Sequence, residues 1–283
     1  MRFWFFYLML APVWGQLTLK TTFQGEQKFH ALTKKAIAED WRALQIGERT
    51  AKIAMELRGI PYQGFTLEID DHIEAPSVNF NGLDCWTFFE TSLCFARMLE
   101  HKEPPYHPQD LLIEIEKTRY FKGRCTGNYL DRIHYLVDWY SENTKRGVVK
   151  DITREFPVAQ IPSQAGEMSQ MWKYYRYLKH NPELRPLMAK EEARLNRTKR
   201  WMVPQNKIAT IENDLRNGDI IGVARNDNGS FCSHVGIVIK DRAGRARLLH
   251  ASSTYKKVIL DAPLADYLKR HRKQVGAIIA RPR

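Results

Sequence analysis

Asn81-Gly82-Leu83-Asp84-Cys85-Trp86-Thr87-Phe88-Phe89-Glu90 decides how the rest of the chain is read. A loop gives way here to a helix from about Asp84 to Glu100, which stops before Pro104-Pro105. A thiol at a helix start lies beside unpaired backbone N–H groups and the positive end of the helix dipole. Both stabilise a thiolate. Two histidines follow far downstream in strand-like runs, Ser233-His234-Val235-Gly236-Ile237-Val238 and Leu248-Leu249-His250-Ala251-Ser252. Such an imidazole can take the thiol proton and return it to a leaving group.

Around this stretch the apolar spacing changes once. From Glu26 to Arg58 it is helical, with Ile37, Trp41, Leu44, Ile46, Ile53, Met55 and Leu57 marking two helices interrupted near Gly47. Phe65-Thr66-Leu67-Glu68-Ile69 alternates like a short strand within an extended segment from Pro61 to Asn79. Residues 107–200 read as mostly helical, through Leu111-Leu112-Ile113, Ile133 to Tyr140, and Met168 to Leu178. Charge covers most faces of Glu183 to Arg200, as on a solvated helix or a polymer-binding face. After Gly218 the period becomes two. Strands are expected at Asp219–Arg225, Phe231–Lys240, Arg245–Ser252, Lys256–Leu260 and Val275–Arg281, with turns at Asn226–Gly229 and Asp241–Gly244. A helical half followed by five short strands makes an α+β domain with a curled antiparallel sheet.

His234 and His250 flank the Asp241–Gly244 turn. An odd-length loop keeps both on one sheet face: three residues at 241–243 place them opposite, three at 242–244 diagonally adjacent, whereas a two- or four-residue loop sends them to opposite faces. The spacing therefore permits a Cys85–His234–His250 relay, with His234 as base and His250 fixing its tautomer. Gly236 shares the face of His234 and leaves room there for substrate backbone. Zinc-ligand spacings are absent, as is a Gly-x-Ser-x-Gly elbow, so neither a metal nor a serine nucleophile is expected. No cofactor is called for. Cys94 follows Cys85 by nine residues, roughly 900° of helix rotation, and faces the other way. Cys94 and Cys232 read as small buried hydrophobes.

The totals fit this picture. With 43% hydrophobic and 27% charged residues, the 283-residue chain has the composition of a folded domain. A formal charge of +12 favours anionic partners, and the absence of finger, RNA-binding and phosphate-loop motifs argues against nucleic acid. Met1-Arg2 followed by apolar Phe3 to Trp14 fits a secretory signal cleaved after Gly15. The run is shorter than the roughly 20 residues that span a bilayer. The expected organisation is a signal peptide at 1–15 and one domain at 16–283, with a helical insertion at about 105–205. Export to the periplasm or cell envelope follows, with no transmembrane span once the signal is removed.

Leu83-Asp84-Cys85-Trp86-Thr87-Phe88-Phe89-Glu90 resembles the Asp-Cys-x-Thr-Phe-x-Glu motif of the N-acetylmuramoyl-L-alanine amidase-like family (domain of unknown function 1460), a branch of the NlpC-type papain-like cysteine hydrolases. Arg119-Tyr120-Phe121-Lys122-Gly123, Tyr129-Leu130-Asp131-Arg132-Ile133-His134-Tyr135 and Asp138-Trp139 resemble its Arg-Tyr-x-x-Gly, Tyr-x-x-Arg-x-His-Tyr and Asp-Trp stretch. The two histidine runs match as well, and the likeness covers roughly residues 30–283. It implies a papain-like fold and hydrolysis of the amide joining N-acetylmuramic acid to L-alanine in peptidoglycan fragments. By position it implies Cys85 as nucleophile, His234 as base and His250 as the orienting residue. Asn79 falls near an asparagine of the family and would support the substrate.

The middle motif also has a physical reading. Muramyl peptides carry carboxylates, which a planar guanidinium matches in bidentate fashion. Arg119 or Arg132 could clamp the stem peptide, and Tyr120, Tyr135 or Trp139 could stack on a sugar. For Tyr135 and Trp139, helix core is an equal alternative. Arg132, set among Ile133 and Leu136, needs a partner. The rivals are an NlpC-type endopeptidase cutting the γ-D-Glu–diaminopimelate bond and a non-catalytic wall-binding protein, which intact Cys85, His234 and His250 argue against. The short apolar run disfavours a thiol acyltransferase on lipids.

Overall fold

The computed structural model describes residues 17–283, so the expected signal segment lies outside the described residues. Helices α1 (Glu26–Ala38) and α2 (Ile46–Glu56) are separated by a single 3-10 turn at Trp41–Ala43. The break falls at Asp40, which takes a left-handed φ of 47°, while Gly47 lies inside the first turn of α2. A Cβ on Gly47 would stand 2.8 Å from the Asn217 carbonyl oxygen, so close packing explains that glycine better than helix breaking does.

Helix α3 (Cys85–His101) runs through the centre of the molecule. Phe88, Phe89, Leu93, Cys94, Phe95 and Leu99 are all fully buried, so it is apolar nearly all round. Around it pack α4 (Pro108–Arg119) and α5 (Leu136–Lys145), and further on in the chain comes α6 (Leu184–Asn196). The stretch expected as one helical run from Met168 to Leu178 is instead three short turns, Glu167–Gln170, Trp172–Tyr174 and Arg176–His180. Met171 and Tyr174 are exposed there. The three- and four-residue spacing survives, but no continuous apolar face does.

The second half is β1 (Trp201–Pro204), β2 (Ile220–Arg225), β3 (Cys232–Lys240), β4 (Ala246–Ser252), β5 (Lys257–Pro263) and β6 (Gln274–Pro282). They form an antiparallel sheet in the order β1-β6-β2-β3-β4-β5, with Ala159–Gln160 beyond β1 and Val149–Asp151 paired to β6. The expected α+β class holds, and the five expected strands are present. The four-residue β1 was too short to read as a strand. Phe65–Ile69 is not one either. Phe65 takes a left-handed φ of 61°, Thr66 Oγ1 donates to Asp84, and Glu68 is drawn to Arg132. Buried side-chain partners there replace a neighbouring strand.

One sheet face packs against α3 through Val235, Ile237, Leu249 and Ala251. The other, with Val238 and Leu248, is covered by a short helix at Leu264–Lys269, whose Leu264, Ala265, Tyr267 and Leu268 are buried. Among the described residues no helix is long and apolar enough to cross a membrane.

Candidate active site

Cys85 is placed by the cap of α3. Asp84 Oδ1 accepts from the Thr87 N–H at 2.7 Å, and Thr87 Oγ1 accepts from the Asp84 N–H at 3.0 Å. This capping box fixes where the helix starts and hence where the sulfur sits. Cys85 comes from a helix on one sheet face, whereas His234 and His250 lie on the other. They meet at the end of the sheet, where Cys85, Ser233, His234 and Val235 line one cleft of about 350 Å³. The pairing of β2 with β3 passes from Val223–His234 to Ala224–Cys232, leaving Ser233 as an extra residue. Such a bulge turns the strand locally and re-aims its neighbours, here His234.

The Asp241–Gly244 turn has the register of the diagonal alternative: Asp241 N–H donates to the Arg245 carbonyl, and Ile237 lies opposite Leu249. His234 and His250 thus share a face, with His234 Nε2 2.7 Å from His250 Nδ1. Gly236 sits directly across from His250. A Cβ there would lie 3.1 Å from His250 Cβ and 2.8 Å from Leu248 Cδ1. The room left by Gly236 is therefore occupied by His250, not offered to substrate.

The chain of partners continues to Asp261, which the sequence reading missed. His250 Nε2 lies 3.4 Å from Asp261 Oδ2, and Asp261 also accepts from the Ala262 N–H at 2.6 Å and from Arg270 at 2.7 Å. Between Arg247 and Leu249 the β4–β5 register shifts, a second irregularity beside the residue that must be aimed. Tyr267 packs its ring 5.2 Å from that of His250 and 6.4 Å from that of His234. The tautomers follow from the partners. Asp261 can only accept, so His250 carries its proton on Nε2 and presents a bare Nδ1. His234 therefore donates from Nε2 and keeps Nδ1 unprotonated.

Electrostatics hold this group uncharged at neutral pH. Burial pushes the Cys85 thiol up to about 12, and Asp84 adds to the shift. The backbone N–H groups of Val235, Trp86 and Cys85 offset part of it. Burial, then His250, brings His234 down to about 3. His250 is lowered by burial despite Asp261. Burial alone would raise Asp261, but the Ala262 N–H, Arg270 and His250 outweigh it and hold the carboxyl below its ordinary range. A thiol and a neutral imidazole result, rather than the preformed thiolate expected from the helix start. One turn of helix field is outweighed by desolvation.

The expected substrate residues divide. Arg119 is wholly buried away from this cleft: Nε donates to Glu90 at 2.8 Å, and its terminal nitrogens donate to the Ser77 hydroxyl and carbonyl at 3.1 Å. It ties α4 to α3 and is not open to a ligand. Tyr120 is buried too, its hydroxyl donating to Glu74 at 2.7 Å. Asn79 lies outside the cleft, its Oδ1 accepting from the Asn81 N–H. Arg132 and Tyr135 do line it. Arg132 is already paired with Glu68 at 3.0 Å and Glu74 at 3.6 Å, and Tyr135 donates to buried Glu192. Both charged guanidinium groups found their partners inside the protein. Trp139 is core, and its Nε1 donates to Glu90 at 3.3 Å.

The walls nobody would pick from sequence are Phe65, Trp86, Tyr175, Arg225 and Glu167. Phe65 is 65% exposed at a left-handed backbone position, and it gives the cleft an apolar edge. All four cysteines are free. Cys94 is buried as expected, but Cys232 is half-buried and lines the cleft. Cys125, also buried, donates to the Glu74 carbonyl. Among the described residues no group of three or more His, Cys, Asp or Glu is arranged to hold a metal ion.

Solved structures resemble this fold. An N-acetylmuramoyl-L-alanine amidase from Bacteroides uniformis ATCC 8492 is 28% identical, with 85% of this chain and 100% of that one covered at a TM-score of 0.74. A protein described as a putative xylanase from Bacteroides fragilis is 30% identical over 81% of this chain and 99% of its own, at 0.72. A Legionella pneumophila protein of the domain-of-unknown-function 1460 family, 20% identical, covers 91% of this chain and 95% of its own at 0.66 and shares the fold. A comparison with curated proteins returned no match. Residues 52–276 match the family model described as N-acetylmuramoyl-L-alanine amidase-like, and the chain belongs to that family.

Proposed function

We propose that the protein is a cysteine amidase that hydrolyses the amide between N-acetylmuramic acid and L-alanine in peptidoglycan fragments. The observation that carries this is the row of partners His234, His250 and Asp261 leading to a cleft that Cys85 also lines, in a chain that belongs to an amidase-like family. Cys85 Sγ attacks the lactyl carbonyl of the muramic acid as its proton passes to His234 Nδ1. The imidazolium so formed is held by His250, whose other nitrogen is anchored on Asp261. Negative charge on the carbonyl oxygen is met by the free N–H of Cys85 at the start of α3. His234 then gives its proton to the departing L-alanine nitrogen, leaving a thioester on Cys85. Water, deprotonated by His234, cleaves it to the free muramic acid and the thiol.

The same reading keeps the NlpC-type papain-like placement, with a helix-borne thiol ahead of sheet-borne histidines in chain order. It keeps residues 16–283 as one domain with a helical insertion at about 105–205, and residues 1–15 as a signal for export to the periplasm or envelope. Phe65, Trp86 and Tyr175 offer apolar and aromatic surface for a sugar or stem peptide.

Product mass analysis on a defined muropeptide mixture tests the proposal. Wild type is expected to release peptides beginning with L-alanine, and Cys85→Ala none. Undiminished release by Cys85→Ala would end the cysteine mechanism. A muramyl dipeptide product would instead identify the endopeptidase alternative.

A further inference from the structure

A second cleft, of about 750 Å³, lies behind the relay along β5. Its cations come from separate parts of the chain: Arg58 after α2, Arg247 on β4, Lys257 on β5 and Arg270 after the Leu264–Lys269 helix. The carboxylate that lines it is Asp261, so the lining carries a net charge of +3. Arg247 spends Nε on the Asp261 carbonyl at 2.7 Å, and Arg270 one terminal nitrogen on the Asp261 carboxylate at 2.7 Å. Arg58 and Lys257 form no ion pair among the described residues. By contrast, the buried arginines Arg119 and Arg132 have internal acids, Glu90 for the first and Glu68 and Glu74 for the second. Here four cations line one cleft with a single carboxylate, and their mutual repulsion is relieved when an anion enters.

We propose that this cleft binds a ligand carrying two or more phosphate or carboxylate groups, and that its occupancy is felt at Cys85 because Arg270 is shared with Asp261. Three guanidinium groups and an ammonium match the oxygens of such a ligand. An oxyanion bound there competes with Asp261 for Arg270. Asp261 then bears more firmly on the His250 Nε2–H, His250 Nδ1 accepts more strongly from His234, and His234 Nδ1 becomes the better base for the thiol.

Calorimetric titration of the full chain with inorganic pyrophosphate, and separately with tricarballylate, tests this. The tighter arm identifies phosphate or carboxylate as the preferred group. Saturable one-to-one binding is expected, weakened about tenfold or more in the R58Q/K257Q double variant, which loses two charge-assisted contacts. Iodoacetamide alkylation of Cys85 near neutral pH should be faster in wild type at saturating anion. The proposal is overturned by no saturable binding in either arm, by unchanged affinity in the double variant, or by an alkylation rate indifferent to the anion. Alkylation reports on the thiol whatever bond the protein cuts, so this outcome is separable from that of the amidase reading.

Discussion

Two groups of polar side chains flank helix α3, and they are built on opposite terms. Behind it, Glu90 and Arg119 are both fully buried and paired, and in the wall of the cleft Arg132 is likewise paired, with Glu68 and Glu74. At its N-terminal end Cys85, His234 and His250 are held neutral by burial, and Cys85 and His234 remain open to a cleft. The first group carries permanent charge on fixed partners. The second keeps charge back until a substrate draws it out. Full pairing sets position, because any displacement would strand an ion in the interior. Neutral imidazoles linked in a row set chemistry, because a proton can cross them without large rearrangement.

Changes on the two sides should therefore separate activity from stability. The largest expected effect is at His234. His234→Ala should lower kcat by about 10²- to 10⁴-fold, the usual range for a positioned base, with the folded state retained. A variant that kept most of its muropeptide turnover would erase the distinction drawn here. Next is Arg119→Met, which strands Glu90 and should cost about 3–5 kcal/mol in urea unfolding. Turnover per folded molecule should stay near wild type. An Arg119→Met protein of normal stability but raised KM would restore Arg119 to the role of carboxylate clamp.

Asp261→Asn tests whether the outer end of the relay acts through His250. An amide can donate where the carboxylate only accepts, so the His250 tautomer loses its anchor. We expect kcat to fall by about tenfold to a hundredfold with KM unchanged, the scale on which outer-shell partners of histidines act. An equal change in KM would mean that Asp261 shapes the cleft instead. Gly236→Ala should be milder in stability, about 1–3 kcal/mol for overpacking, while moving His250 out of line. Its signature is a kcat loss that Asp261→Asn does not deepen, since both act on the same imidazole.

What the sequence revealed and what it hid follow the same division. The length of the loop between the histidines stayed open in the sequence, but the α3 start and the strand runs were legible because period and turn chemistry are local properties. Asp261 was not. It reaches His250 across a register shift between β4 and β5, and no alternation in Lys256–Leu260 announces where a bulge will aim the next side chain. Arg119 was misread as a ligand clamp, and the partners of Arg132 were not legible, for a related reason. A guanidinium near apolar residues signals a need for an acid, but the chain does not say whether the acid belongs to a ligand or to Glu90, Glu68 and Glu74. Gly236 was seen as space, and only the cross-strand register reveals that His250 fills it.

The effect that bears most directly on the comparison is the response of stability to acid. His234 is brought from an ordinary value near 6.5 to about 3 in the folded chain, with burial the main cause. Between those two values the unfolded chain holds a proton at this position and the folded chain does not. Stability is therefore fully present above about pH 6.5 and is lost as pH falls toward 3. His250 and His134 are also lowered by burial and act in the same direction. The paired arginines behind α3 contribute nothing in this window, because a guanidinium stays protonated in both states. Urea midpoints should thus fall between about pH 7 and about pH 4.5, above the range where most carboxylates titrate. His234→Gln should flatten that fall in part, since the other two histidines remain. If His234→Gln kept the full wild-type slope, His234 would already be protonated in the resting protein, and the neutral thiol–imidazole pair would give way to the ion pair first read from the helix start.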